Sequence, residues 1–222
     1  MARQKKKKFA ENELRQNLIQ PGKAEFGNLK GKWASNFFKN DKPIVLELGC
    51  GRGEYSVGLA RLFPNKNFVG VDIKGDRMYK GSKAAEEENL DNVAFLRIMI
   101  QEIDDHFAEN EISEIWITFP DPRPRNRDIK RRLTSERYFK KYYHLIKDGG
   151  IFHLKTDSRP LFDFSLELIE KLPKDNLLYT YDLYNSDLKD EHFGIKTRYE
   201  EKFMKEGFSI NYLRFNIISN KT

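Results

Sequence analysis

The chain has one cysteine, Cys50, and four histidines among 222 residues. One cysteine excludes an internal disulfide and fits a reducing compartment such as the cytoplasm. With so few histidines beside it, no ligand set for a structural zinc is expected, and no metal is assigned. No apolar run approaches the roughly 20 residues that span a bilayer. The basic N-terminus is followed by no apolar stretch, so neither a membrane span nor a secretory signal is expected. Internal repeats are absent, and the lysine run Lys5 to Lys8 is the one segment of low complexity.

What is present points to a folded chain. Hydrophobic residues make up 39%, with 17 Phe and 10 Tyr, enough to build a full core in one domain. The net charge of +6 matters less than its distribution. Arg3 and Lys5 to Lys8 form a basic arm. Between Arg123 and Arg132 stand six basic residues and one acid, Asp128. Such clusters bind polyanions, or else are simply solvated.

Residues 1–40 have weak periodicity, a Pro21-Gly22 step, and the aromatics Trp33, Phe37 and Phe38. They read as a loose basic arm followed by a short helix that packs on a single domain at 41–222. From Pro43 the pattern sharpens. Strands are expected at Ile44–Leu48, Asn67–Asp72, Asn92–Met99, Ile115–Phe119 and Ile151–Thr156. Helices are expected at Tyr55–Phe63, from there after Asp72 to about Asn89, at Thr134–Ile146 with Gly149-Gly150 as its stop, and at Leu161–Leu172. Two more strand-like runs, Leu177–Tyr184 and Ile210–Ile218, flank a polar segment. This alternation predicts an α/β fold, a mainly parallel sheet with helices on both faces.

Glu47-Leu-Gly49-Cys-Gly51-Arg-Gly53 follows the first of these strands and opens a helix. Glycines there let the backbone approach a ligand closely. A phosphate-cradling loop needs Gly-Lys-Ser/Thr at the helix start, which is missing. A dinucleotide fingerprint reads G-x-G-x-x-G, whereas here the third glycine comes one position early. Asp72 closes the next strand, where a carboxylate can accept both hydroxyls of a ribose. Cys50, inside the turn, reads as a small filler residue.

Phe119-Pro-Asp121-Pro122 ends the fourth expected strand. Ligands of open α/β sheets bind beyond the carboxyl ends of the strands, which puts Asp121 beside the glycine turn. The two prolines stiffen its loop. The basic run Arg123 to Arg132 follows at once, so the substrate is expected to be a polyanion, RNA or DNA.

The pattern E-x-G-x-G-x-G resembles motif I of class I methyltransferases, which bind S-adenosylmethionine. More specifically, Phe119-Pro-Asp-Pro-Arg-Pro-Arg-Asn-Arg-Asp-Ile-Lys-Arg-Arg-Leu133, Leu154-Lys-Thr-Asp157, Thr197-Arg-Tyr-Glu200 and Leu29-Lys-Gly-Lys-Trp33 resemble the bacterial tRNA (guanine-N7-)-methyltransferase family. The resemblance runs from about residue 25 to the C-terminus. It implies a Rossmann-like class I methyltransferase fold, a mainly parallel seven-stranded sheet with an antiparallel C-terminal strand. It implies methyl transfer to N7 of a guanosine in the tRNA variable loop by a cytoplasmic monomer or homodimer.

By motif position, the resemblance assigns Glu47, Gly49, Gly51, Gly53, Asp72 and Asp121 to the cofactor, with Asp121 also catalytic. Arg125, Asp157, Thr197, Arg198, Tyr199 and Glu200 match the substrate site. Arg127, Lys130, Arg131 and Arg132 match the RNA-contacting stretch. Two positions depart from the family pattern. Met99-Ile100 stand where the family commonly has Asp-Ala, so adenine recognition falls to backbone groups there or to Gln101. Arg123 stands where tryptophan is common, and either stacks on a base or binds phosphate. Methylation of another RNA atom, a non-catalytic RNA-binding protein and a nicotinamide oxidoreductase are the alternative readings.

Overall fold

The computed structural model describes residues 2–218, with side chains described from Gln4 onward, so the Arg3 side chain of the basic cluster lies outside the described residues. One sheet organises the molecule. In chain order its strands are β1 (Leu18–Ile19), β2 (Ile44–Leu48), β3 (Asn67–Asp72), β4 (Val93–Arg97), β5 (Ile112–Thr118), β6 (Ile146–Thr156), β7 (Lys174–Thr180) and β8 (Asn211–Ile217). Across the sheet they lie in the order β1-β4-β3-β2-β5-β6-β8-β7. The first six are parallel to their neighbours, and β8 slots antiparallel between β6 and β7. From β2 the chain builds outward to β3 and β4 on one side, then returns to lay β5 on the other. That reversal opens a crevice at the carboxyl ends of β2 and β5.

The helices are α1 (Ala2–Leu14), α2 (Glu54–Leu62), α3 (Gly75–Glu87), α4 (Ile103–His106), α5 (Glu136–Leu145), α6 (Arg159–Glu170) and α7 (Arg198–Lys205). Residues of α2 and α3, with Leu183, Ile195 and Met204, pack against one face of the sheet. Residues of α5 and α6, with Trp33 and Phe107, pack against the other. Burial on both faces is why the central strands read as unbroken apolar runs rather than as alternating patterns. Among the described residues no helix is long and apolar enough to cross a membrane.

Three features differ from the sequence-based expectations. The sheet has eight strands rather than seven, because Leu18 and Ile19 pair with Phe95 and Leu96 at its edge. Two residues are too short a run to show periodicity. Next, Gly149-Gly150 do not stop a helix: α5 ends at Leu145, and both glycines lie inside β6. Gly149 has φ +73°, and the β5–β6 register shifts between Ile112 and Glu114, so the pair forms a bulge in the strand. Finally, the basic arm is helical as α1 and docks on α3. Asn12, fully buried, donates to the Gly75 carbonyl at 2.8 Å, and the Arg97 guanidinium lies 5.0 Å over the Phe9 ring. The expected short helix is a π-helical turn, Trp33–Phe38; Trp33 stacks on Phe107 and donates from Nε1 to the His106 carbonyl.

The turn between β2 and α2 requires glycine most strictly at Gly53, with φ +74°. A Cβ there would stand 2.5 Å from the Phe95 ring. Gly149 has a similar φ of +73° but open space around it. Gly53→Ala is expected to lower Tm by roughly 4–8 °C, and Gly149→Ala by clearly less. Equal losses in thermal denaturation would put the whole cost in φ and none in the ring contact.

Candidate active site

A cleft of about 1070 Å³ opens at the carboxyl ends of β2 and β5. Its walls include Gly49, Gly51, Asp72, Met99, Gln101, Asp121, Asp157, Thr197 and Tyr199, so the structure brings together nine residues expected at the site from six separate stretches of sequence. The volume suits a cofactor and part of a substrate together.

The glycine turn is built from beneath. Gly49 and Cys50 donate their amides to the Val71 carbonyl, and Gly51 donates to Asp72 Oδ2 at 2.9 Å. The other Asp72 oxygen accepts the Lys74 amide at 2.8 Å. Asp72 therefore fixes the turn to the end of β3 while keeping unused lone pairs at the cleft. Gly49, Gly51 and Gly53 all have positive φ, which bends the chain sharply into α2.

Glu47 does not line the cleft. It is buried under the turn, one oxygen accepting the Ser56 amide at 2.8 Å and the Ser56 hydroxyl at 2.5 Å, the other accepting the Thr118 hydroxyl at 2.9 Å. Burial pushes its carboxyl up to about 7, against the hydrogen bonds from Ser56 and Thr118 that pull it down.

The loop after β5 carries Asp121 into the cleft. Phe119 and Arg123 on either side of it have φ +49° and +46°, uncommon for residues with a Cβ. The Asp121 carboxylate accepts the Arg123 amide at 3.1 Å and pairs with the Arg123 guanidinium at the same distance. Arg123 faces the acid two residues before it.

The basic run divides into two kinds of residue. Arg127 and Lys130 are exposed, and Arg131 also lines the cleft. Arg125 and Arg131 are exposed but pair with the buried carboxylate of Asp128, which holds them side by side. Arg132 is turned inward and is 8% exposed. Its guanidinium donates to the carbonyls of Pro122 and Arg123 at 3.1 and 3.2 Å and lies 4.5 Å over the Phe164 ring. The resemblance assigned Arg132 to RNA; in the structure its Nε and Nη2 donate to the Asp121 loop.

On the far wall, Thr197 caps α7 and forms a capping box with Glu200. Tyr199 projects into the cleft, whereas Arg198 is exposed outside its lining. Glu200 is fully buried, bonded to Lys155 Nζ at 2.6 Å and to the Tyr184 hydroxyl. With its oxygens committed, it does not reach the cleft. Asp157 does, and burial raises its pKa.

Lys155, itself fully buried, escaped the sequence reading. Burial lowers its pKa to about 8, against the attraction of Glu200. A lysine within an apolar strand was the available signal, since a buried ammonium requires a partner. Leu133, Tyr138 and Phe203, which also line the cleft, carried no signal beyond their apolar character.

A family profile described as "Putative methyltransferase" matches residues 41–213. A tRNA (guanine-N(7)-)-methyltransferase of Cytophaga hutchinsonii is 46% identical over 98% of this chain and 99% of its own length. Its namesake in Christiangramia forsetii is 48% identical over 97% and 99%, and that of Clostridium novyi 40% over 95% and 97%. Among solved structures, the 16S rRNA methyltransferase KamB superposes with a TM-score of 0.61 at 18% identity, over 90% of this chain and 95% of that one. A 16S rRNA (adenine(1408)-N(1))-methyltransferase from Catenulisporales acidiphilia, crystallised with cosubstrate SAM, gives 0.56 at 13% identity, over 86% and 92%. These two likenesses establish the fold.

The raised pKa of Glu47 has a pH signature. A carboxyl whose folded pKa lies above its unfolded value of 4.5 contributes stability that is complete below 4.5 and lost as pH rises through about 7. In urea denaturation of the cofactor-free protein, the wild type is expected to lose stability across that window relative to Glu47→Gln. Parallel pH profiles for the two proteins would contradict the burial of this carboxyl.

Proposed function

The chain belongs to the tRNA (guanine-N(7)-)-methyltransferase family, and from that premise we propose that it methylates N7 of a guanosine in tRNA, in the variable loop, using S-adenosylmethionine. The observation that carries this reading is the convergence of the glycine turn, Asp72, Asp121 and Asp157 on one cleft with basic residues at its rim. On this reading the protein acts in the cytoplasm, as a monomer or homodimer. Residues 41–222 are assigned to the methyltransferase domain, and the described residues before them to an arm that packs on it.

The cleft fits the cofactor. Gly49 and Gly51 let the main chain come close, and Asp72 offers carboxylate lone pairs to ribose hydroxyls at the end of β3. Met99 and Gln101 line the part of the cleft beyond β4, where an adenine would lie. Bound there, S-adenosylmethionine supplies an electrophilic methyl group on a positively charged sulfur. Asp121 presents a carboxylate at the same place, and Glu47 holds the turn from below.

Guanine N7 carries a lone pair and no proton, so the transfer requires no general base. The residues act by alignment and by electrostatics. Asp121 offsets the positive charge that grows on the guanine. Asp157 accepts from guanine N1–H and its amino group, which adenine does not present in that pattern. Tyr199 stands beside this position as an aromatic wall, and Arg125, Arg127, Lys130 and Arg131 bind phosphates.

Two variants separate these roles. Asp121→Asn is expected to slow single-turnover methyl transfer by roughly 100-fold while leaving tRNA affinity within about threefold. Comparable losses in both would make Asp121 a structural residue. Arg132→Ala is expected to lower kcat by roughly tenfold or more by releasing the Asp121 loop, with the salt dependence of tRNA binding unchanged. A slope reduced by about 0.9 would instead place Arg132 on a phosphate.

A further inference from the structure

A second recess of about 470 Å³ lies between α2, α3 and the turn at Phe193–Lys196. It adjoins the cleft, since Arg52, Glu54 and Lys80 line both. Its floor is apolar, from Val57, Leu62 and Ile195. One wall is the ring of Phe193, 40% exposed and set edge-on against Phe63 at 4.9 Å. Phe193 and Gly194 have φ +55° and +72°, a tight turn that lays the ring between Phe63 and Trp116 with one part left exposed. Gly58 lets this turn close on α2, because a Cβ there would stand 2.9 Å from the Ile195 side chain.

The charges around this floor are unbalanced. Arg61 is committed to Glu88 through two hydrogen bonds. Arg52, Lys80 and Lys196 have no ion-pair partner among the described residues, and Glu54 is the one acid in the lining. An apolar floor, an exposed ring and surplus cations fit one chemistry best, a nucleotide of a single-stranded nucleic acid. Every base has a face that stacks on an aromatic ring, and each phosphate calls for a cation.

We propose that this recess binds one nucleotide flanking the target guanosine, with its base against Phe193 and its phosphate near Arg52, Lys80 and Lys196. The proposal rests on the tRNA reading above. The basic run Arg123–Arg131 leads into α5 on one face of the sheet, whereas the recess lies on the α2–α3 face. The recess meets the cleft at Arg52, Glu54 and Lys80, at the carboxyl end of the strands, and runs along α2 to Phe193, which packs on Phe63 at the helix's other end. The RNA strand therefore crosses the cleft from one basic flank to the other, and the target base enters midway.

The test is equilibrium binding of the full chain to unmodified tRNA across a salt series, alongside methyl transfer by the wild type. Phe193→Ala is expected to weaken binding roughly tenfold with the salt slope unchanged, since stacking releases no counterions. Lys196→Ala is expected to reduce the slope by about 0.7, the value for one phosphate contact on a single strand. Phe193→Trp is expected to keep wild-type affinity, with its indole fluorescence quenched on binding, which guards against an Ala variant that merely loosens the fold. Wild-type affinity and slope in both Ala variants, or an unquenched Trp variant, would overturn the proposal while leaving the methyltransferase reading intact. A wild type that neither binds nor methylates tRNA would overturn both. Binding of an acidic peptide in preference to tRNA, lost in Phe193→Ala, would assign the recess to a protein partner instead.

Discussion

The site depends on one carboxylate buried where the sheet changes direction. Glu47 ties the start of α2, through Ser56, to the end of β5, through Thr118. These segments lie far apart in the sequence, yet one carries the glycine turn and the other leads to Asp121. The β2–β5 ladder ends at Glu47 and Trp116, and beyond it this link sets the turn and the loop relative to each other. A buried, fully hydrogen-bonded carboxylate has few alternative arrangements, so it fixes their offset. Asp72 repeats the device one strand further out, holding the turn through Gly51.

A second buried link defines the substrate side. Lys155, next but one before Asp157, pairs with Glu200, and Glu200 caps the helix whose first turn presents Tyr199. Buried ion pairs contribute little net stability once desolvation is counted. What this one fixes is position, the first turn of α7 against the end of β6. The Asp121 loop is held from a third direction by Arg132, whose guanidinium rests on Phe164 of α6. Asp72 is held by the Gly51 and Lys74 amides and Asp121 by Arg123, an arrangement suited to chemistry that works by alignment and fixed charge rather than by proton transfer.

Much of this was legible in the sequence. Ile44–Leu48 and Asn67–Asp72 match their strands residue for residue, because strands buried on both faces must be apolar throughout. The spacing of Gly49, Gly51 and Gly53 carried the turn, since positive φ leaves little choice of residue. Direction was harder to read. Arg132 and Glu200 stand in charged segments, and composition does not reveal whether a charge faces solvent or core. The helix Ala2–Leu14 has no apolar stripe and docks through few side chains, Phe9 and Asn12 among them, too sparse a pattern to show a period. Gly149-Gly150 looked like a helix stop, but a bulge in β6 makes the same demand on φ.

The most direct test is transfer of a labelled methyl group from S-adenosylmethionine to unmodified tRNA, followed by chain cleavage specific for 7-methylguanosine. The account predicts label in tRNA and cleavage at a single variable-loop guanosine. Label without that cleavage would contradict N7 as the acceptor, and no label with cofactor bound would contradict tRNA as the substrate.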